Sequence, residues 1–356
     1  MTALQSFFVT TPGPRLHVLA GGEGATVVCL VHGNLSTARF FEPLAADLPP
    51  SWRVIAPDLR GFGRSEAAPV NATRGLGDFA DDVARVLAGA DIVPDGQPVH
   101  LLGWSMGAGV VMRYAIDHPG TAASVTLVSP LSPFGFGGTR DLSGTLTYED
   151  GAGTGAGTVS AELVERLRSG DASDASPMSA RSLLRNLYLK PPYRLAAELE
   201  DALVDEILAT AVGEANYPGD HLPSGHWPGV APGTTGVVNA MSPLYCDLSD
   251  FSAAASRTCT LWVRGRDDQM VADRSMLDLA VLGELGLVPG WPGPAAFPAQ
   301  PMVSQMRAVL RRGEQQGGKV VESVFTNCSH SPHLEQPERF RQLLVSFVSA
   351  AAAARW

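Results

Sequence analysis

The stretch Leu101-Leu-Gly-Trp-Ser-Met-Gly-Ala-Gly109 decides the fold of this chain. It continues the apolar run Val99–Leu102, which predicts a buried strand, and it leads into Ser105–Asp117, which predicts a helix. The pentapeptide Gly103-Trp-Ser-Met-Gly107 therefore forms a tight strand-to-helix turn, in which side chains at the two glycine positions would clash with the neighbouring strand and helix. Such a turn exposes the Ser105 hydroxyl as a candidate nucleophile.

Short β-rich runs alternate with helix-length segments on both sides of this turn. Strand–helix alternation predicts an α/β fold, whose mostly parallel sheet is flanked by helices on both faces. The first two runs predict an opening hairpin. Together with the strand before Ser105, the predicted sheet has eight strands; the other seven are Phe7–Thr10, Leu16–Leu19, Thr26–Val31, Arg53–Ala56, Ser124–Val128, Thr258–Val263 and Val320–Phe325.

The alternation breaks after the sixth strand. Residues 131–255 hold helical patterns, the first of them at Ala161–Ser169, and loops rich in glycine and proline, the last of them at Tyr217–Thr235. We interpret this segment as a helical cap over the carboxyl edge of the sheet. Residues 1–130 and 256–356 would then form the core domain, in which Ala272–Leu285 predicts a helix. A second insertion, within the core, is predicted at residues 286–312, where a Pro/Gly-rich loop leads into a helix.

Composition excludes several classes of function. The 356 residues include 26 Lys and Arg against 36 Asp and Glu, a net charge of −10. That balance argues against binding nucleic acid or anionic lipid. No apolar run reaches the roughly 18 residues that span a bilayer. The four cysteines form no CxxC pair and the N-terminal residues do not resemble a signal peptide, so we expect free thiols and a cytoplasmic location.

A serine nucleophile needs a base. Of the eight histidines, His330 and His333 follow the last predicted strand and precede the last helix, at the sheet edge where Ser105 lies. His330 comes first after the strand, where a loop can aim it at the serine. His333 is nearer the helix and is interpreted as structural.

The base needs an acid that orients it. The loop after the strand Thr258–Val263 contains Asp267 and Asp268, and the residues alone leave either one open as the acid. The oxyanion needs two N–H donors. Met106 follows the nucleophile, and Asn34 lies in the loop after the strand Thr26–Val31.

These motifs resemble the α/β-hydrolase superfamily, in its capped serine hydrolase and esterase branch. The matching pieces cover about two-thirds of the chain, in the order that the family has: His32-Gly-Asn34, Pro57–Ser65, Gly103–Gly107, Gly265-Arg-Asp-Asp268 and His330-x4-Glu335-x-Pro337. The resemblance implies the α/β-hydrolase fold, with Ser105 as nucleophile, His330 as base, Asp268 as acid, and Asn34 and Met106 as the oxyanion hole. Ser329 replaces the glycine that usually precedes the histidine.

The resemblance implies a serine hydrolase that cleaves a carboxylic ester or related acyl bond of a largely apolar small molecule, through an acyl-enzyme and without cofactor or metal. C–C bond hydrolase, lactonase, thioesterase and peptidase activities use the same triad and stay open. A non-catalytic ligand-binding protein and a cofactor-free haloperoxidase or lyase are weaker alternatives. The substrate and any homo-oligomer stay undetermined.

The cap composition bears on the substrate. Trp104, Phe134 and Met241 are predicted to line the substrate pocket. The predicted cap has nine large apolar or aromatic residues, and we expect at most a third of them to line the pocket. The nine are Phe134, Phe136, Tyr148, Leu187, Tyr188, Tyr217, Trp227, Met241 and Tyr245.

Overall fold

The computed structural model describes residues 4–10, 12–89, 92–93 and 97–353. The strands are β1 Gln5–Val9, β2 Leu16–Gly21, β3 Thr26–Val31, β4 Trp52–Pro57, β5 Val99–Trp104, β6 Ala122–Val128, β7 His221–Pro223, β8 Val230–Pro232, β9 Cys259–Gly265 and β10 Val320–Phe325. Eight of them form one sheet in the order β1-β2-β4-β3-β5-β6-β9-β10, while β7 and β8 pair separately. The predicted eight-stranded, mostly parallel sheet is confirmed, and β1 and β2 form the predicted hairpin.

The helices are α1 Glu42–Asp47, α2 Gly77–Leu87, α3 Met106–Asp117, α4 Ala161–Ser169, α5 Ala180–Leu183, α6 Ala197–Leu208, α7 Val237–Ala240, α8 Phe251–Ala255, α9 Leu279–Glu284, α10 Met302–Gln315, α11 Pro332–Glu335 and α12 Pro337–Ala353. No helix within the described residues is long and apolar enough to cross a membrane.

The register of the parallel strands brings the candidate residues to one edge of the sheet. Gly103 of β5 pairs with Val31 of β3, and Trp104 pairs with Val128 of β6. Farther along the sheet, Phe325 of β10 pairs with Gly265 of β9. The loops after β3, β5, β9 and β10 therefore all leave from the carboxyl edge, which is where α/β sheets bind ligands.

The segment between β6 and β9 carries α4 to α8 and the β7–β8 hairpin. It is tied to the core by backbone hydrogen bonds, among them Val70 N–H to the Ala215 carbonyl (2.9 Å) and Ala211 N–H to the Gly61 carbonyl (2.8 Å). Its apolar side chains are contiguous with the core of the sheet domain. The cap boundaries at 131–255 stay a prediction.

Two local predictions were wrong. The loop predicted at residues 217–235 contains the β7–β8 hairpin, closed by a bond from Gly229 N–H to the His226 carbonyl (2.7 Å). The helix predicted from Ala272 begins only at Leu279. The residues before it form turns, in which Ser275 Oγ donates to the Met270 carbonyl (2.7 Å) and Met276 N–H donates to the Gln269 carbonyl (2.9 Å).

The predicted second insertion packs against the cap. Gln300 and Gln305, on either side of the start of α10, are fully buried. Gln305 Nε2 donates to Thr139 Oγ1 (2.8 Å), and Ser132 Oγ donates to Gln305 Oε1 (2.6 Å). Because buried amide groups need hydrogen-bond partners, these bonds favour a single placement of the insertion against the cap.

Candidate active site

Ser105 lies at the corner between β5 and α3, with φ 57° and ψ −119°. A non-glycine residue at positive φ is strained, and here the corner is maintained by backbone contacts on both sides. A Cβ added at Gly103 would lie 2.2 Å from the Gly107 carbonyl oxygen, and one added at Gly107 would lie 2.2 Å from the Val31 carbonyl oxygen. The two glycines therefore let strand, turn and helix approach closely, as the pentapeptide predicts.

We expect Gly107→Ala to lower the free energy of unfolding by about 3 kcal/mol, because the new methyl group meets backbone on two sides. The carbonyl oxygens of Val31 and His32 would lie 2.2 Å and 2.3 Å from it. Urea unfolding followed by circular dichroism measures the effect. Gly225→Ala is the control, since a Cβ there meets nothing within 4 Å. Equal stability of the two variants would contradict this account of the corner.

The candidate base and acid are in contact. His330 is fully buried, and its Nδ1–H donates to Asp268 Oδ2 at 2.8 Å. Because a carboxylate accepts only, this bond leaves Nε2 as the acceptor nitrogen of the neutral ring. Nε2 is buried without a hydrogen-bond partner among the described residues. His330 and Ser105 line the same cavity.

The neighbouring aspartate faces elsewhere. Asp267 Oδ2 accepts from Lys190 Nζ at 2.7 Å, and the Asp267 side chain is 36% exposed. The Lys190 ammonium holds the pKa of Asp267 below its usual value. The geometry therefore brings Asp268, and not Asp267, to His330.

The predicted oxyanion residues lie beside the serine. Met106 is the first residue of the twelve-residue helix α3, and its N–H lies at the positive end of the helix dipole. Asn34 follows β3 and lines the cavity with Ser105 and Met106. The hydroxyl of Tyr188 donates to the carbonyls of Asn34 (2.9 Å) and Leu35 (3.2 Å), which holds this loop in place.

With this geometry in place, comparison with known proteins identifies the family. The profile of the alpha/beta hydrolase fold matches residues 26–285. The chain belongs to the α/β-hydrolase fold family. An esterase from Exiguobacterium antarcticum superposes with a TM-score of 0.59 over 97% of this chain and 100% of its own, at 17% identity, which is a likeness of fold.

Curated relatives match a shorter part of this α/β-hydrolase. The dihydrolipoyllysine-residue acetyltransferase component of the acetoin cleaving system of Cupriavidus necator is 35% identical over 134 residues, which are 36% of this chain and 32% of the relative. The 2-hydroxy-6-oxo-6-phenylhexa-2,4-dienoate hydrolase of Burkholderia cepacia is 28% identical over 119 residues, 33% of this chain and 40% of the relative. The match thus spans about two-fifths or less of the length of these relatives.

The α/β-hydrolase core and the cap enclose a cavity of about 340 Å³ above Ser105. Its wall is mainly apolar, and no lysine or arginine lines it within the described ranges. Of the three residues predicted for the substrate pocket, Trp104 and Met241 line this cavity and Phe134 does not. The Phe134 ring packs on Gly144, where an added Cβ would lie 2.2 Å from a ring carbon. Five of the nine large apolar cap residues line the cavity, more than the expected third: Phe136, Leu187, Tyr188, Tyr217 and Met241.

His333 is a buried packing residue in this family member. Its ring contacts those of Trp104 (4.9 Å between centroids), Phe41 (5.1 Å) and Phe340 (6.0 Å). Neither ring nitrogen has a hydrogen-bond partner among the described residues. Burial, together with the nearby His330, lowers its pKa from 6.5 to about 3.

This pKa predicts acid sensitivity. Below pH 6.5 the unfolded chain protonates His333 while the folded protein keeps it neutral down to about pH 3, so stability is lost as the pH falls through that window. At pH 5 the loss from this residue is on the order of 2 kcal/mol. We expect His333→Phe to flatten the dependence of Tm on pH between 7 and 4.

The control for this prediction is His221→Gln, because His221 is exposed on β7. His221→Gln should show the same dependence of Tm on pH as the wild type. The variant His333→Phe should keep part of the slope, since burial also lowers the pKa of His32 and of His100 to about 4. Parallel curves for wild type and His333→Phe would show that His333 does not contribute.

Sequence reasoning missed the role of two residues that hold the base loop. Trp104 Nε1–H donates to the His330 carbonyl at 2.9 Å. Glu335 accepts the N–H groups of Ser329 and Lys190, both at 2.8 Å, and so joins the histidine loop to the cap. A tryptophan inside the pentapeptide and a glutamate five residues after the histidine were visible signals, but their partners are distant in sequence. Within the described ranges, no group of three or more His, Cys, Asp or Glu is arranged to hold a metal ion.

Proposed function

We propose that this protein is a serine hydrolase that cleaves carboxylic esters or related acyl bonds of uncharged, largely apolar small molecules. The observation that carries the proposal is the bond between His330 Nδ1 and Asp268 Oδ2 (2.8 Å), combined with the unpartnered Nε2 on the cavity that Ser105 lines. A neutral imidazole with Nε2 as acceptor is the form that can take a proton from a serine.

In the proposed reaction, Ser105 Oγ attacks the acyl carbonyl while His330 Nε2 takes the hydroxyl proton. Asp268 keeps the ring in this tautomer and stabilises the imidazolium that forms. His330 then gives the proton to the leaving alcohol, which departs and leaves an acyl-Ser105 ester. Water repeats the attack with His330 as base, and the acid and Ser105 are released.

The negative charge on the carbonyl oxygen is assigned to the N–H groups of Asn34 and Met106. Preorganised backbone donors stabilise a developing oxyanion without reorganisation at the moment of reaction. The Tyr188 hydroxyl supports this role, because it holds the carbonyls of Asn34 and Leu35 from the cap side.

The apolar cavity wall favours an uncharged acyl group. A substrate with a carboxylate, such as the dienoate in the name of the Burkholderia cepacia relative, would lack a cationic partner among the residues that line the cavity. Burying an unpaired charge is costly. The cavity therefore favours esters, thioesters and lactones with an uncharged acyl group over the carboxylate-bearing substrates of C–C bond hydrolases. A cytoplasmic location remains a prediction from the sequence.

The test is intact-mass analysis after treatment with a fluorophosphonate probe, with peptide mapping of the adduct. We expect one adduct per chain, on Ser105, together with turnover of p-nitrophenyl butyrate. Labelling elsewhere, or folded protein that neither labels nor hydrolyses any p-nitrophenyl ester from acetate to octanoate, would refute the proposed function.

A further inference from the structure

The Tyr217 hydroxyl is a polar group of the cavity that the proposed mechanism does not use. The Tyr217 side chain is 3% exposed and lines the cavity above Ser105. Its hydroxyl makes no hydrogen bond within the part of the chain that the structure describes, and its oxygen is not fully enclosed. Two other tyrosine hydroxyls at the cap, those of Tyr188 and Tyr193, donate to backbone carbonyls.

The backbone that carries this hydroxyl is held firmly. Tyr217 N–H donates to the Ala211 carbonyl (3.0 Å), and Gly213 N–H donates to the Tyr217 carbonyl (2.7 Å). The preceding residue, Asn216, donates from Nδ2 to the Ala68 carbonyl (2.8 Å), which anchors the turn on the core domain. A donor fixed in this way binds a ligand with little loss of conformational entropy.

The surroundings define the chemistry of the group. Burial raises the pKa of Tyr217, so the hydroxyl stays protonated and can donate a hydrogen bond. Tyr188, whose hydroxyl holds the Asn34 loop, lines the same cavity as Tyr217. Asn34 Oδ1 is also buried there without a partner among the described residues.

We propose that Tyr217 is a specificity-determining residue, whose hydroxyl donates a hydrogen bond to an uncharged keto or hydroxyl oxygen on the acyl chain of the substrate. This inference rests on the proposed function and specifies the substrate class. The preferred esters carry an uncharged oxygen substituent on the acyl chain, rather than a plain alkyl chain. A plain alkyl chain would cover the hydroxyl and leave it unpaired, which costs about 1–3 kcal/mol. We assign an uncharged oxygen because the described lining has no lysine or arginine that could pair with an anionic group.

The first experiment compares kcat/KM for the p-nitrophenyl esters of octanoic, 3-hydroxyoctanoic and 5-oxooctanoic acid. We expect Tyr217→Phe to lower kcat/KM about 10- to 100-fold for at least one oxygenated ester, and by less than about 3-fold for the octanoate. Tyr245→Phe is the matched control, because Tyr245 belongs to the cap but does not line the cavity. Equal losses on all three esters, or no loss on any, would overturn the inference.

The second experiment separates this inference from the proposed function, since it needs no turnover. Calorimetry measures binding of 2-octanone and octane-2,5-dione to Ser105→Ala, with and without Tyr217→Phe. We expect the dione to bind about tenfold more tightly than the monoketone only when Tyr217 is present. If this difference is found although the wild-type protein hydrolyses no ester, the hydrolase proposal fails, and only the role of the Tyr217 hydroxyl as a hydrogen-bond donor to a neutral ligand stands. If the difference is missing in an active hydrolase, the inference fails.

Discussion

Replacing Ser105 with alanine is expected to lower kcat for p-nitrophenyl butyrate by about 10⁴- to 10⁶-fold and to abolish fluorophosphonate labelling. The hydroxyl at this corner is the proposed nucleophile, and an alanine methyl group cannot form the acyl-enzyme. The residual rate should come from binding and the oxyanion donors alone. The fold should be retained, because the corner is set by backbone contacts at Gly103 and Gly107 and not by the hydroxyl.

Ser129→Ala is the matched control for this substitution. Ser129 follows β6 at the same sheet edge, has a positive φ of 41°, and its buried Oγ has no partner among the described residues. Its kcat should stay close to that of wild type. If Ser105→Ala kept more than about a tenth of the wild-type rate while remaining folded, another nucleophile would have to be sought.

Replacing Asp268 with asparagine is expected to lower kcat by about 10⁴-fold while the fold is retained. Asp268 Oδ2 accepts the Nδ1 proton of His330 at 2.8 Å. An asparagine that presents its NH₂ group to Nδ1 would favour the tautomer with the proton on Nε2, which cannot accept the proton of Ser105. The loss should therefore fall on kcat rather than on KM.

The adjacent residue provides a sharp control for this second prediction. Asp267→Asn removes an ion pair with Lys190 whose members are each about one-third exposed, so it should cost under about 1 kcal/mol of stability and leave kcat within about 3-fold. Steady-state kinetics and thermal unfolding of both variants give the comparison. A larger loss of kcat in Asp267→Asn than in Asp268→Asn would reverse the assignment of the acid.

The fold was predictable from sequence because its signals are local. Continuous apolar runs such as Thr26–Val31 identify strands buried on both faces, and β3 occupies those same residues. The helix α4 also occupies the predicted Ala161–Ser169, since Ser160 caps its start and Gly170 ends it in the left-handed conformation. The helix predicted from Ala272 begins only at Leu279, because local periodicity does not register the turns that Ser275 Oγ and Met276 N–H form with the carbonyls of Met270 and Gln269.

The cavity wall was the least predictable part. Phe134 and Phe136 are two residues apart and equally apolar, yet Phe136 lines the cavity while Phe134 packs on Gly144. Tyr188 and Tyr217 were visible only as two of several cap aromatics. Whether a tyrosine hydroxyl is satisfied depends on distant partners, such as the Asn34 carbonyl for Tyr188.

The sequence by itself determined the strand order along the chain, the strained serine corner and the candidates for base and acid, because these depend on residues within a few positions of one another. The tertiary structure alone decided that Asp268 reaches His330 while Asp267 binds Lys190. It also decided that Trp104 and Glu335 hold the base loop and that the Tyr217 side chain lines the cavity. The physical reason is that side-chain direction at adjacent positions follows from the packing of segments up to 226 residues apart, as for Trp104 and His330.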